Sequence, residues 1–291
     1  MRFGGRQPGG AWCGRGLLLL GSACLVMAAL PISAFVPKAE RVAAAVADAN
    51  EAAARTQALR LEIRVGAGGA DAIAQGELVT HPTGMARIEL RFGNGTVERH
   101  LLQGTEHTAT RNGRPLKHPR PVLPPLFLLQ ADSGDTLRAA LDAYGILVDA
   151  VGLAPCGEHD CYVVGDPSRV PPPIEDGEAG VAPTRTSLPS VAARRDDDLP
   201  KIWLDIVTFD LLRIDGEDGI RVRIGPPASF GEVRFPAWLV IEEPERDSVR
   251  MDVLRATPVN APAPAFSEAW LFGSETDSTG DRESESDAAE N

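Results

Sequence analysis

The segment Leu59-Arg60-Leu61-Glu62-Ile63-Arg64-Val65 alternates apolar and charged side chains without interruption. Successive side chains of a β-strand point to opposite faces of its sheet, so this period of two predicts a strand with one buried and one charged face. Residues 86–92 repeat the alternation, with arginine and glutamate between Ala, Ile, Leu and Phe. Two such strands predict an antiparallel sheet whose outer face is charged.

Further short strands with turn signals between them are predicted on both sides of this pair. Glycine-containing turns at residues 66–69, 93–95 and 112–113 separate several of them, as is typical of hairpins. Residues 230–236 are expected to connect two of the later strands. This pattern predicts one large curved antiparallel sheet, an incomplete β-barrel, interrupted at residues 166–200 by a long loop. The further strands are predicted at residues 72–80, 96–103, 106–111, 114–117, 146–151, 161–165, 202–205, 209–215, 220–225, 237–243 and 248–257.

Helical segments are expected to cover one face of this sheet. Residues 37–57 are rich in alanine and place their valines on one helical face. Residues 134–144 place their leucines on one face in the same way, and the proline-flanked apolar run 126–129 precedes them. The predicted fold class is therefore α+β, mostly β, with helices covering the concave face of the sheet.

Composition and charge exclude several functional classes. The chain has 291 residues, 43% of them hydrophobic, and carries 41 acidic against 29 basic side chains, for a formal net charge of −12. Such a chain is not expected to bind nucleic acid, because phosphate neutralisation needs clustered Lys and Arg. The ordinary hydrophobic content excludes both wholesale disorder and a polytopic membrane protein.

The N-terminus has the features of an export signal. A glycine-rich segment with arginines and no acidic residue precedes an apolar run over residues 17–36, with small residues near its end. This order predicts a secretory signal over residues 1–34 that is cleaved after Ala34. Two alternatives stay open. An uncleaved anchor would use the same run, since about 20 apolar residues span a bilayer, and a lipoprotein would be cleaved before Cys24.

Two segments are expected to stay outside the folded body. Residues 166–200 carry seven prolines and few large apolar side chains, which predicts a disordered loop. Residues 273–291 hold seven acidic side chains against Arg282 alone, and no hydrophobic side chain larger than alanine. They cannot bury enough surface to fold. The predicted organisation is a signal, a domain over residues 35–272 and a disordered acidic tail.

Removal of the predicted signal would leave Cys156 and Cys161 as the cysteines of the mature chain. An even pair in an exported chain predicts a disulfide, and closing so small a loop would contribute roughly 2 kcal/mol. A metal site with His159 and Asp160 is the alternative. Four ligands within six residues do not converge easily into a tetrahedron, which favours the disulfide.

The sequence contains no motif for catalysis or cofactor binding. It lacks the Gly-x-Ser-x-Gly, His-Glu-x-x-His and phosphate-loop patterns. Its five histidines are scattered without the spacing of metal ligands, and the acidic run 196–198 is expected to be a solvated loop. The protein is therefore not expected to be an enzyme, and we expect no cofactor and no metal.

Three segments carry a resemblance to a known family. They are Lys201-Ile202-Trp203-Leu204-Asp205, the connection Phe230-Gly231-Glu232-Val233-Arg234-Phe235-Pro236 and the closing strand Val249-Arg250-Met251-Asp252-Val253. Together with the helix and charged meander before them, they make residues 38–258 resemble the LolA-like superfamily of bacterial outer-membrane lipoprotein-sorting proteins. The resemblance implies an incomplete β-barrel whose concave apolar face is covered by helices and holds acyl chains.

A non-enzymatic periplasmic carrier or chaperone is the function that this resemblance implies. Its partners would be lipid or lipoprotein acyl chains and membrane-bound donor or acceptor proteins. An envelope-sensing interaction module on the same scaffold is the alternative function. An alanine-rich helix fills space poorly against a sheet, which favours a cavity, but plain core packing is the alternative. The residues expected to line the cavity and its lid are Val42, Val46, Leu126, Phe127, Leu128, Leu137, Leu141 and Trp203.

The resemblance also implies an arginine that latches the helices. The arginines of residues 60–64 and 87–91 alternate onto the charged face of their strands, which is the wrong face for a cavity latch. The sequence therefore identifies no latching arginine, and this leaves lipid binding expected while a full shuttling cycle is not implied.

Overall fold

The described part of the chain belongs to one unit that begins at Val36. Outside the described residues lie the predicted signal at residues 1–34, residues 171–198 of the predicted loop and residues 274–291 of the predicted tail. Among the described residues, no helix is long and apolar enough to cross a membrane. The computed structural model describes residues 36–50, 57–68, 72–157, 159–170, 199–216 and 219–273.

β-strands are the main secondary structure of the described residues. The strands are β1 (Ala58–Ala67), β2 (Ala74–Thr80), β3 (Met85–Phe92), β4 (Val97–Gln103), β5 (Glu106–Arg111), β6 (Arg114–Pro115), β7 (Val151–Cys156), β8 (His159–Val164), β9 (Lys201–Asp205), β10 (Leu211–Asp215), β11 (Arg221–Ile224), β12 (Pro227–Phe230), β13 (Val233–Pro236), β14 (Trp238–Glu242) and β15 (Val249–Val259). Thirteen of them form one sheet in the order β6-β5-β4-β3-β2-β1-β15-β14-β11-β10-β9-β8-β7, and β12 pairs with β13 in a separate hairpin.

The large sheet extends in two directions from its centre. β1 pairs antiparallel with β2 on one side and with β15 on the other, so the first and last strands of the chain are neighbours. The meander β1–β6 forms one half of the sheet, and β6 and β7 are its two edges. The sheet is therefore antiparallel and open rather than closed into a barrel. This confirms the predicted fold class.

The alternation in β1 distributes its side chains over two faces of the sheet. Leu61 lies opposite Leu78 of β2 and Ala256 of β15, and all three are buried. We call this the interior face. Arg60 and Glu62 point the other way, onto what we call the outer face. The register therefore agrees with the charged outer face that the sequence predicts.

Three helical segments pack against the interior face, and we call them together the lid. They are α1 (Ala39–Ala49), a 3-10 helix (Leu126–Gln130) and α2 (Gly134–Ala143). The apolar residues of all three share one hydrophobic cluster with the interior face. Ser133 caps α2, because its side-chain oxygen accepts a hydrogen bond from the Thr136 backbone N–H at 3.1 Å. Helices thus cover one face, as predicted.

A C-terminal segment covers part of the outer face. It consists of a 3-10 helix (Ala263–Phe266) and α3 (Glu268–Phe272), which the sequence analysis does not predict. Its buried side chains pack against the meander, so a face expected to be only charged also carries apolar contacts. The residues of this second hydrophobic cluster are Ala58, Val79, Leu101, Phe266 and Leu271.

Two predicted segments differ from the structure. The strand predicted at residues 146–151 starts only at Val151, because Ile146 is buried in the turn after α2 and not in the sheet. Residues 230–236 are not a simple connection, since most of them belong to the β12–β13 hairpin. The described part of the predicted loop includes a 3-10 helix at Pro167–Arg169.

Candidate functional site

Seven of the eight side chains predicted to line the cavity come together between the lid and the sheet. All seven are buried members of the interior cluster, and they are Val42, Val46, Leu126, Phe127, Leu128, Leu137 and Leu141. The helical period explains this convergence, because residues four apart on a helix face the same way. The apolar side chains of the lid therefore face the sheet, and their binding of an acyl chain stays a prediction.

Trp203 is the one candidate that the structure places elsewhere. It lies between Ile202 and Leu204 on β9, which both face the interior, so the pleat turns Trp203 to the outer face. Its indole Nε1 donates a hydrogen bond to Asp215 at 2.8 Å, and the Arg213 guanidinium lies 4.5 Å from its ring centroid. Trp203 is thus a partner of charged side chains and does not join the other seven.

The interior is almost completely filled in this conformation. A cavity of about 10 Å³ remains between the lid and strands β8 and β9, lined by lid residues such as Val46 and by Ile202 and Leu204 of the sheet. Ligand pockets of small molecules usually measure at least ~300 Å³. This cavity is therefore too small to hold an acyl chain.

Small residues allow the two helices of the lid to approach each other closely. A Cβ atom built on Gly134 at the start of α2 would lie 3.0 Å from the backbone nitrogen of Ala44 and 3.1 Å from its Cα. A side chain at this position would therefore have to displace α1 or α2 by a few tenths of an ångström.

Arg234 holds the C-terminal end of α1. Its guanidinium donates a hydrogen bond to the Ala49 carbonyl at 3.2 Å and, through Nη2, to both carboxylate oxygens of Asp210 at 2.7 and 2.9 Å. The last carbonyls of a helix carry a partial negative charge, so a cation is favourable here. Asn50 adds a second bond, from Nδ2 to the Leu128 carbonyl at 2.9 Å.

A small crevice of about 30 Å³ opens beside this arginine. The hairpin β12–β13 forms one wall, and the end of α1 together with Leu129 of the lid forms the other. Arg234 and Asp210 both line it. The crevice therefore lies where the lid would separate from the rest of the molecule if the Arg234 bonds were broken.

Arg234 is the functional candidate that sequence reasoning missed. It stands in the predicted connection 230–236, and the pattern Val233-Arg234-Phe235 is a signal for a strand with one polar side chain between two buried ones. Its acceptor on α1 lies 185 residues away along the chain. Local patterning cannot identify so distant a partner.

Two histidines form a polar contact on the interior face near the β4–β5 end of the sheet. His100 Nδ1 lies 3.2 Å from His107 Nε2, and the two rings are stacked at 5.3 Å. Burial, and secondly the nearby His100, lower the pKa of His107 to about 4. Hydrogen bonds from His100 and then Arg111 hold the pKa of Glu98 below its usual value despite burial. His107 is therefore neutral at pH 7.

The predicted disulfide is present between Cys156 and Cys161. It joins the end of β7 to β8, with the two Cα atoms 5.9 Å apart, and Cys161 is buried. This confirms the disulfide over the metal alternative at these residues. Elsewhere in the described part of the chain, no group of three or more His, Cys, Asp or Glu side chains could hold a metal ion.

Comparison with known proteins finds similar solved structures. A LolA superfamily protein from Nitrosomonas europaea matches at 10% identity and a TM-score of 0.45, covering 81% of this chain and 100% of that one. A putative outer membrane lipoprotein-sorting protein domain from Vibrio parahaemolyticus matches at 6% identity and 0.43, covering 80% and 99%. No protein-family model and no curated protein matches the sequence.

Proposed function

We propose that the protein is a carrier that binds a lipid or lipoprotein acyl chain between the lid and the interior face. The contacts that the lid makes are the main observation in support of this proposal. Its buried side chains are apolar, while the end of α1 is held by Arg234 and Asn50 through hydrogen bonds to main-chain carbonyls. Such a lid can separate from the sheet at one end without unfolding the strands beneath it.

Apolar burial would drive loading. Each buried methylene contributes about 0.8 kcal/mol, so a chain that buries about twelve methylenes gains roughly 10 kcal/mol. Opening the lid breaks the charged hydrogen bond from Arg234 to the Ala49 carbonyl, worth roughly 1.5–3 kcal/mol, and the neutral one from Asn50, worth roughly 1 kcal/mol. It also exposes apolar surface of the lid until the ligand covers it, and these costs offset part of the gain.

We further infer that this carrier works in the periplasm and exchanges its cargo with membrane-bound donor or acceptor proteins. The disulfide between Cys156 and Cys161 supports an oxidising compartment. The predicted signal at residues 1–34 supports export, whether it is cleaved, lipidated at Cys24 or kept as an anchor. A soluble form and a tethered form would present the same lid to their partners.

The filled interior supports a second candidate function. With a cavity of only about 10 Å³ beneath the lid, the apolar cluster can also serve as a permanent core. The protein would then be an interaction module that senses envelope components and binds a protein partner. The two candidates differ in whether the lid ever opens.

Loading experiments on the full chain distinguish the candidates. The protein is purified from the bacterial envelope, examined by native mass spectrometry, and then incubated with a fluorescent fatty acid. The carrier is expected to bind one acyl chain. Arg234→Gln is expected to load about tenfold faster, because losing about 1.4 kcal/mol of lid contacts lowers the opening barrier by that factor.

Arg223→Gln is the matched control for this substitution. Arg223 is an exposed arginine that pairs with Glu242 at 2.8 Å on the outer face, away from the lid. Its loss should leave the loading rate unchanged. If neither the parent protein nor Arg234→Gln takes up any acyl chain, the carrier proposal fails and the interaction module is favoured.

A further inference from the structure

A wide polar groove lies on the outer face, on the side of the sheet opposite to the lid. Its volume is about 910 Å³, and its floor is formed by β1–β4. Four arginines and two glutamates line it, together with Trp270 and Gly273 at the C-terminal end of the described chain. The charged residues are Arg60, Glu77, Arg87, Glu89, Arg91 and Arg99.

The groove is positively charged in an otherwise acidic protein. Its four arginines and two glutamates give a local charge of 4 − 2 = +2, whereas the whole chain carries −12. The arginines gather in the groove because they alternate onto one face of neighbouring strands. An anionic ligand is therefore the class that this surface fits.

Contacts among the lining residues hold the arginines in place. Glu89 accepts hydrogen bonds from Arg91 and Arg99, at 2.8 and 2.7 Å. Burial raises the pKa of Glu89, but these two arginines outweigh it and lower the pKa below the usual value. The guanidinium groups of Arg87 and Arg99 lie near the Trp270 ring, with their centres 4.9 and 5.6 Å from its centroid. The binding surface is thus ordered before any ligand arrives.

The chain itself leaves the described region at this groove. Gly273 ends α3 with a φ of +74°, and a Cβ atom there would lie 2.5 Å from Arg99 Nη1. The next eighteen residues, 274–291, hold seven acidic side chains and Arg282, a net charge of 1 − 7 = −6. An acidic segment of the sequence therefore starts at the edge of the arginine groove.

We propose that the acidic segment 274–291 binds in this arginine groove of its own chain. Tethering at Gly273 gives the segment a high effective concentration, on the order of millimolar for a short flexible connection. Eighteen extended residues reach about 60 Å, more than enough to cross the four strands of the floor. Each exposed ion pair is weak by itself, so the binding depends on several pairs at once and weakens with salt.

Distance measurements in the full chain test this proposal. Spin labels are placed at Gly93→Cys, on the groove wall, and at Ser278→Cys in the acidic segment. Cys13 and Cys24 are replaced by serine. A Cβ atom at Gly93 has no heavy atom within 4 Å, so the label is tolerated. At low ionic strength we expect a narrow distribution of label distances, which becomes at least about twofold wider at 1 M salt.

Two sets of substitutions assign the effect to charge. Changing Glu275, Asp277, Asp281 and Glu283 to their amides should widen the distribution in the same way at low salt. The double variant Arg60→Gln/Arg91→Gln should do so as well, and both arginines are exposed enough to be replaced without loss of the fold. Arg223→Gln/Arg250→Gln, on the outer face outside the groove, is the matched control and should leave the distribution narrow.

The proposal is overturned by a broad distribution in the parent protein at low salt. It is equally overturned if the control pair widens the distribution as much as the groove pair.

A further experiment adds a soluble hexa-aspartate peptide to the variant with the neutralised segment. Binding of this peptide to the groove, with a broad distribution in the parent, would show that the groove takes an anion from another molecule and not from its own chain.

Discussion

The two faces of one sheet have opposite properties in this protein. Beneath the lid, the interior face leaves a cavity of about 10 Å³ among aliphatic side chains, whereas the outer face carries an open arginine groove of about 910 Å³. Both belong to one sheet, but the cavity lies between the lid and strands β8 and β9, whereas the groove lies on β1–β4. The difference shows that open space by itself does not identify the ligand site of a lidded fold.

Apolar ligands and charged ligands would therefore depend on different physical properties of the same sheet. An acyl chain needs the interior to open, so its binding is limited by packing and by the bonds that hold the lid. An acidic segment needs no rearrangement of the outer face, so its binding is limited by salt. Substitutions that change packing alone or charge alone test these two dependences separately.

The largest effect is expected from truncating the lid. Leu128 is 1% exposed, so Leu128→Ala should lower the free energy of unfolding by roughly 2–5 kcal/mol through lost burial and a residual cavity. The matched control is Leu254→Ala on the outer face, where the side chain is 50% exposed and a change within about 0.5 kcal/mol is expected. Urea denaturation of both variants measures the difference. Equal losses would contradict the distinction between the faces.

A somewhat smaller effect is expected from pH. Because burial and His100 lower the pKa of His107 from 6.5 to about 4, the unfolded chain binds more protons than the folded chain between these two values. Stability is therefore complete above pH 6.5 and falls as the pH decreases towards 4, by about 3 kcal/mol in total. Unfolding midpoints measured at pH 7.5 and pH 4.5 report this loss.

His107→Gln is the test variant for the pH effect, and it should remove most of the difference between the two pH values. His118→Gln is the control, since His118 is exposed in the segment after β6. If both variants keep the full acid sensitivity of the parent protein, the His100–His107 contact is not its source, and the carboxylates held by arginines would have to explain it.

The sequence predicts those structural features that depend on residues close together in the chain. The period of two in residues 59–65 and the valines of α1 are local, and both predict the correct buried face. The disulfide is also local, since six residues and the expected compartment suffice. The hydrogen bond between Arg234 and the Ala49 carbonyl joins residues 185 apart in the chain, and no periodic pattern in the sequence predicts it.

The C-terminal packing on the outer face illustrates the same limit. Phe266 and Leu271 lie in a segment that is too short for its pattern to indicate which surface it packs against, so the sequence offers no reason to place them against Leu101. Their burial needs the meander to be assembled first. Trp203 shows the converse, because its apolar character suggests the interior while the pleat of β9 turns it towards Arg213.

The smallest effect is expected from substituting two glycines by alanine, one in the lid and one at the groove on the outer face. Gly134→Ala puts a methyl group about 3.0 Å from the Ala44 backbone nitrogen, so α2 must shift by a few tenths of an ångström from α1. We expect a loss of roughly 1–2 kcal/mol, because overpacking forces small backbone movements. Gly93→Ala meets no heavy atom within 4 Å and should be neutral or more stable by up to about 1 kcal/mol, since alanine restricts the unfolded chain.

Stability and loading must be measured together on this glycine pair. If the lid opens as proposed, Gly134→Ala should load a fluorescent fatty acid faster than the parent protein while Gly93→Ala loads at the parental rate, because only the first substitution loosens the contact between α1 and α2. A Gly134→Ala protein that loses stability without any change in loading would mean that this helix contact belongs to a core that does not open. The interior face would then be structural throughout, and the outer groove would be the binding surface of the molecule.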